Sequence, residues 1–136
     1  MPRKSGDGRA RPPLTDRELD VMAVLWHRGP STVAEVRERL TDDLAHNTVQ
    51  TVLRLLEEKG YVDHTAEGKA HRFHPRVRQA AVGATATARL VEKLFGGSTE
   101  RLLTHLVTER SVSAAELRRL RALVDARLGT ATEETP

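Results

Sequence analysis

A mainly helical chain carrying one small β-hairpin is the fold class that the sequence predicts, and three observations carry it. Apolar residues recur at helical spacing in three closely spaced segments between Thr15 and Gly60. The period then shortens to that of strands around His64 and His71, and it lengthens again from Arg76 onward. The 136 residues suffice for one compact domain, or for a small domain with an oligomerisation arm.

Residues 1–13 are rich in Gly, Pro and Arg with little to bury, which predicts a disordered basic tail. Arg3, Lys4, Arg9 and Arg11 stand there against Asp7, so the tail holds the whole formal charge of +3 and the remainder is neutral. Net charge therefore says little about a nucleic-acid partner, and placed residues must carry that argument.

Thr15-Asp16-Arg17-Glu18 is a capping box: the Thr hydroxyl accepts from the backbone three residues on, and Glu18 reaches back. It opens a helix with Leu19, Met22, Ala23 and Trp26 on one stripe, stopped by Gly29-Pro30. Thr32-Val33-Ala34-Glu35 repeats the box and starts a short helix that Thr41-Asp42-Asp43 ends. Asn47 followed by Gln50 reads as a third start signal, ahead of Val49, Val52, Leu53 and Leu56 on one face. Gly60 sits where a left-handed residue is wanted after the last turn.

Two strand-like runs, Tyr61 to His64 and His71 to His74, flank a polar turn from Thr65 to Ala70. A two-stranded hairpin is marginal alone, so it is expected to pack on the third helix. Pro75 closes it. From Arg76 the pattern is helical to Phe95, where Gly96-Gly97 breaks it. Ser98 caps a helix with Leu102, Leu103, Leu106 and Val107, and Ser113-Ala114-Ala115-Glu116 is a further capping box before Leu117, Leu120, Val124 and Leu128. These last helices either fold back on the first domain or pair with a second copy. Three helices in line without long loops favour the second, which makes Leu90, Leu94, Leu102, Leu106, Leu117, Leu120 and Val124 the expected dimerisation residues.

Three helices followed by a hairpin is the winged helix-turn-helix plan, in which the third helix enters the major groove and the hairpin flanks the phosphates. The expected organisation is a disordered tail over 1–13, a winged-helix domain over 14–75, a helical dimerisation domain over 76–128 and a polar tail over 129–136. At 100° per residue, Asn47, Thr51, Arg54 and Glu58 point away from the apolar face, with Thr48, Gln50 and Leu55 at the margins. Asn and Gln suit adenine, Arg suits guanine, and a Thr methyl suits the thymine methyl. An ordinary solvated face has a similar composition, and Glu57 and Glu58 add acid to it. Agreement with the hairpin favours double-stranded DNA, since Lys69 and Arg72 there suit backbone phosphate, as does His46 just before the helix.

Other chemistries find no support. With no cysteine there is no disulfide framework, thiol nucleophile or thiolate metal site. His71 and His74 project to opposite faces of a strand, a poor metal pair. There is no nucleotide-binding glycine loop, metalloprotease helix or nucleophile elbow, so neither an enzyme nor a cofactor is expected. No apolar run approaches a membrane span and the first residues lack a signal-peptide core, which makes a cytoplasmic protein the expectation.

The sequence resembles the penicillinase-repressor family, the BlaI/MecI/CopY type of winged-helix regulators, from Leu14 to about Leu128. Three stretches carry the resemblance. They are Leu14-Thr15-Asp16-Arg17-Glu18-Leu19 with Val24-Leu25-Trp26 and Gly29-Pro30; Asn47-Thr48-Val49-Gln50-Thr51 with Leu56, Lys59 and Gly60; and Glu67-Gly68-Lys69-Ala70-His71-Arg72-Phe73. The resemblance implies a homodimeric repressor on a dyad operator, with Thr48 and Thr51 on the recognition helix and Lys69 and Arg72 in the wing. Genes regulated in that family include β-lactamases, penicillin-binding proteins and copper transporters. The carboxy-terminal cysteine cluster of the copper members is absent, which argues against metal sensing. Relatives commonly have Arg where this chain has Leu55, with Arg54 one place earlier. The antibiotic-responsive members are inactivated by a regulatory protease at an Asn-Phe pair, and His105-Leu106 falls there in this chain. The alternatives are a winged-helix protein-interaction module and a repressor that senses a small molecule in a pocket between helices.

Overall fold

The computed structural model describes residues 11–131; most of the expected basic tail and the end of the polar tail lie outside them. The element order is α1 (Asp16–Arg28), β1 (Ser31–Thr32), α2 (Val33–Arg39), α3 (His46–Lys59), β2 (Val62–Glu67), β3 (Ala70–Pro75), α4 (Gln79–Leu94), α5 (Thr99–Glu109) and α6 (Ala114–Thr130). The chain divides into two compact units between Ala88 and Arg89, within α4.

In the first unit the local signals act as their chemistry dictates. Thr15 and Thr32 each close a full capping box, with Glu18 and Glu35 reaching back to the cap backbone at 2.9 and 3.0 Å. Gly29 ends α1 at φ 100°. Gly60 ends α3 at φ 89°, and the next amide, that of Tyr61, returns to the Leu56 carbonyl at 2.9 Å, the double closure of a Schellman motif. Val21, Met22 and Leu25 from α1, Val33 and Val36 from α2, and Val49, Val52, Leu53 and Leu56 from α3 form one core. Tyr61, Val62 and Phe73 seal it from the hairpin side. Val77 and Val82 pack against this core as well, and the Val77 carbonyl accepts from the Trp26 indole at 2.8 Å.

Four details differ from the sequence reading. The sheet has three strands in the order β1-β3-β2, all antiparallel, because Ser31 and Thr32 pair with Phe73 and Arg72; a two-residue strand is too short to show alternation. The hairpin loop is only Gly68-Lys69, since pairing continues to Glu67 opposite Ala70. Gly68 leads that loop at φ 61° and Lys69 has a negative φ, the first-position glycine that a type II′ hairpin turn wants. The third helix begins at His46 with Ala45 at the cap and no side-chain cap, so Asn47 lies inside the first turn rather than ahead of it. The Val49 amide reaches the Ala45 carbonyl at 3.1 Å, which draws the start of the helix back past Asn47.

The fourth concerns the end of the stretch read as a disordered tail. Arg11, Pro12 and Pro13 are tied to the carboxy-terminal end of α3. The Arg11 Nε donates to the Gly60 carbonyl (2.8 Å), the Tyr61 hydroxyl to the Pro12 carbonyl (2.6 Å) and the Lys59 ammonium to the Pro13 carbonyl (3.1 Å). These bonds span more than forty residues of chain, so no local pattern announces them.

In the second unit, α4 ends before Gly96 and Gly97, both at positive φ, and Ser98 and Ser113 cap α5 and α6 by accepting from Arg101 and Glu116. The α6 helix runs one residue past Gly129, the expected start of the tail. None of α4, α5 and α6 holds a buried residue.

Candidate nucleic-acid interface

The α3 helix presents two chemically distinct faces. Val49, Val52, Leu53 and Leu56 are buried, while His46, Asn47, Gln50, Thr51, Arg54 and Leu55 are exposed and Thr48 is half-buried. The helix is held at both ends. Ahead of it, the Arg37 Nε donates to the Leu44 carbonyl at 2.6 Å and fixes the loop from α2. Behind it, Lys59 pairs with Glu18 at 2.6 Å, joining α3 to the start of α1. Burial alone would raise the Glu18 pKa; the Lys59 hydrogen bond and charge and the Thr15 amide outweigh it, so the carboxyl is held below its ordinary range.

The wing stands beside this helix. Beyond Val62 every residue of β2 is exposed, so only the base of the hairpin is anchored in the core. Lys69 is exposed in the two-residue loop at its tip. On one face the His64 ring stacks on His71 with centroids 4.3 Å apart and approaches Phe73 at 5.5 Å, and its Nδ1 lies 2.8 Å from the Glu57 carboxylate of α3. On the other face the His74 Nε2 lies 3.0 Å from the Thr65 hydroxyl. His71 and His74 thus belong to opposite faces, and no group of three His, Cys, Asp or Glu suited to a metal ion occurs among the described residues. At the base of the hairpin, Arg76 pairs with Asp63 at 3.2 Å.

Arg72 is more engaged than a free phosphate ligand. Its Nε and Nη2 grip the two oxygens of Glu67 at 3.1 and 2.8 Å, and its Nη1 reaches both Glu35 (3.1 Å) and the Pro30 carbonyl (3.0 Å). The Glu67 hydrogen bond foremost, then Glu35, raises the Arg72 pKa. Arg72 in turn lowers that of Glu67, while Glu35 is lowered first by the Thr32 amide and then by Arg28 and Arg72. The capping signal of Glu35 is legible in the sequence, whereas its arginine partners Arg28 and Arg72 come from α1 and β3 and carry no local mark.

The remaining sequence-predicted residues lie in the second unit. Leu90, Leu94, Leu106, Leu117 and Val124 are exposed, and Leu102 and Leu120 are half-buried. His105 is exposed midway along α5, its ring 5.5 Å from Phe95. In the first unit an open cleft of about 500 Å³ lies between α1 and the loop after α2. Arg17, Asp20, Arg28, Arg39 and Asp42 line it together with the apolar Ala23, Val24, Leu40 and Leu44.

A packed three-helix core, a solvent-facing polar third helix and a flanking hairpin together define a winged helix-turn-helix module of the DNA-binding class. A model of the penicillinase repressor family matches residues 14–126. The chain is 23% identical over 116 residues to the penicillinase repressor of Bacillus licheniformis, covering 84% of this chain and 91% of that one. It is 19% identical over 114 residues to the methicillin resistance regulatory protein MecI of Staphylococcus aureus, covering 82% and 93%. The solution structure of the DNA-binding domain of the repressor BlaI aligns at a TM-score of 0.48 with 31% identity, over 53% of this chain and 90% of that domain. The chain belongs to the penicillinase repressor family and is a DNA-binding winged-helix repressor.

Proposed function

We propose that the chain represses transcription as a homodimer on a dyad operator, with α3 of each protomer in the major groove and the wing against the adjacent backbone. The observation that carries this reading is the exposed polar face of α3, opposite a fully buried one and beside a wing tipped by Lys69. Asn47, Thr48, Gln50, Thr51 and Arg54 then read base edges, and His46 and Lys69 neutralise phosphate. Residues 14–75 form the DNA-binding domain and 76–128 the dimerisation domain. Support for the latter comes from α4, α5 and α6, whose apolar side chains Leu90, Leu94, Leu106, Leu117 and Val124 remain exposed in the single chain. Repression works by occupancy and needs no catalytic step. The protein acts in the cytoplasm, and no helix among the described residues is long and apolar enough to cross a membrane. Cell-wall stress genes are the proposed targets, by similarity to the relatives, and a regulatory protease acting at His105-Leu106 is the proposed inducer.

Selection of operator duplexes from a random pool, followed by titration at several salt concentrations, tests the reading. Thr51→Ala and Arg54→Ala are expected to change which bases are preferred, with roughly 1–3 kcal/mol per lost base contact. Lys69→Gln is expected to weaken binding to every duplex and to flatten the slope of log affinity against log salt by about 0.9. Uniform loss with unchanged base preference in the Thr51 and Arg54 variants would show that α3 anchors rather than reads.

A further inference from the structure

The outer half of the wing has no core of its own, because β2 is exposed from Asp63 onward and Ala70 and His71 are exposed in β3. The β2–β3 ladder holds its two strands to each other, and side-chain bonding ties them to the rest of the unit. On the β1 side that bonding converges on a single carboxylate oxygen: Glu35 Oε1 accepts from the Thr32 amide at 3.0 Å, from Arg28 at 3.1 Å and from Arg72 at 3.1 Å. Arg72 passes the restraint outward through its two bonds to Glu67, the last residue of β2 before the tip loop. Arg28 passes it inward to the Ser31 hydroxyl at 3.0 Å, and Ser31 is fully buried. The chain Ser31–Arg28–Glu35–Arg72–Glu67 thus connects the floor of the sheet to the residue adjoining the tip. A planar guanidinium with five donors in a fixed fork suits this node, since it holds two carboxylates and a carbonyl at once.

We propose that Glu35 is a positioning residue for DNA binding, holding the wing through Arg72 so that Lys69 stays against the backbone beside α3. This rests on the operator-binding reading above. Arg72 then serves as a strut and not as a phosphate ligand, and its charge is neutralised within the protein by Glu35 and Glu67.

The signs of two substitutions separate strut from phosphate ligand. Glu35→Gln removes a negative charge from the DNA-facing unit but keeps a side-chain acceptor for the Thr32 amide, since Gln also completes a capping box. Simple Coulomb attraction to DNA, or competition between Glu35 and phosphate for Arg72, predicts tighter binding for this variant. The strut predicts weaker binding for Glu35→Gln and for Arg72→Gln alike, each by about fivefold, the scale of one exposed ion pair. The double variant is then no weaker than the weaker single one, and the two single variants share one salt slope, because both act through the same Lys69 contact. The measurement is titration of the full-length chain against its selected operator at several salt concentrations, with thermal melts to establish that each variant is folded. Tighter or unchanged binding by Glu35→Gln overturns the proposal, as does a slope in Arg72→Gln flattened by about 0.9 beyond that of Glu35→Gln, which would make Arg72 a phosphate contact. Wild-type protein without salt-dependent duplex binding would instead overturn the operator reading itself, before any substitution is compared.

Discussion

Glu18 shows how one residue serves two levels of structure. Its carboxylate closes the α1 capping box on Thr15 and also takes the Lys59 ammonium at 2.6 Å, with only 5% of its side chain exposed. Gln completes the same box but carries no charge for Lys59, so Glu18→Gln is expected to cost roughly 1–2 kcal/mol at neutral pH. The folded-state pKa of Glu18 is lowered relative to the unfolded chain. Its contribution is therefore full above the ordinary glutamate range and disappears as pH falls through the depressed folded value. Urea midpoints should accordingly differ between wild type and variant at neutral pH and converge in acid; a gap that persists below the carboxylate range would remove the ion pair as its cause.

At the scale of elements, the α3 helix depends on how it ends as much as on its apolar stripe. Gly60 holds φ 89° and ψ 15°, a left-handed conformation in which a Cβ meets the following carbonyl. Gly60→Ala should destabilise by about 1 kcal/mol, while Leu53→Ala, which empties a fully buried site between the helices, should cost about 2–5 kcal/mol. Denaturant titration of both variants checks the order, and a larger loss at Gly60 would mean that the cap matters more than the core it closes. Much of this element was legible. The stripe of Val49, Val52, Leu53 and Leu56 is local and periodic, and so is the outward placement of Thr51 and Arg54. Asn47 misled because a residue suited to capping need not be the cap; the loop held by Arg37 lets the helix start a residue earlier, at His46.

For the whole molecule, the proposed dimer accounts for helices that lack an interior. Leu117, Leu123, Val124 and Leu128 of α6 are all more than a third exposed, and Leu90, Leu94, Leu103 and Leu106 repeat this on α4 and α5. Polar replacement of Leu117, Leu120 and Val124 should therefore dissociate the dimer and lower operator affinity with it, because two half-sites are then bound independently. Sedimentation together with operator titration reads both effects; a variant that stays dimeric and binds normally would exclude this seam. Cleavage between His105 and Leu106 is expected to act in the same direction, by cutting α5 in the middle of the proposed interface. A tight operator-bound dimer recovered after the cut would rule out switching by proteolysis at that bond.

Features that neighbouring residues settle among themselves are legible without the fold. Thr15 with Glu18 and Thr32 with Glu35 set helix starts within four residues, Gly60 and Gly96-Gly97 set helix ends, and a regular stripe identified the buried side of α3. That Ser31-Thr32 is a strand follows from long-range packing, since its partners Phe73 and Arg72 lie some forty residues on. The same packing makes Arg11 to Pro13 strap the end of α3 and brings Arg72 between Glu35 and Glu67. The physical reason is common to all three: a capping bond or an apolar period is encoded in residues that are already adjacent. A pairing across dozens of residues forms only after the core has brought two segments together, and either segment alone carries no mark of it.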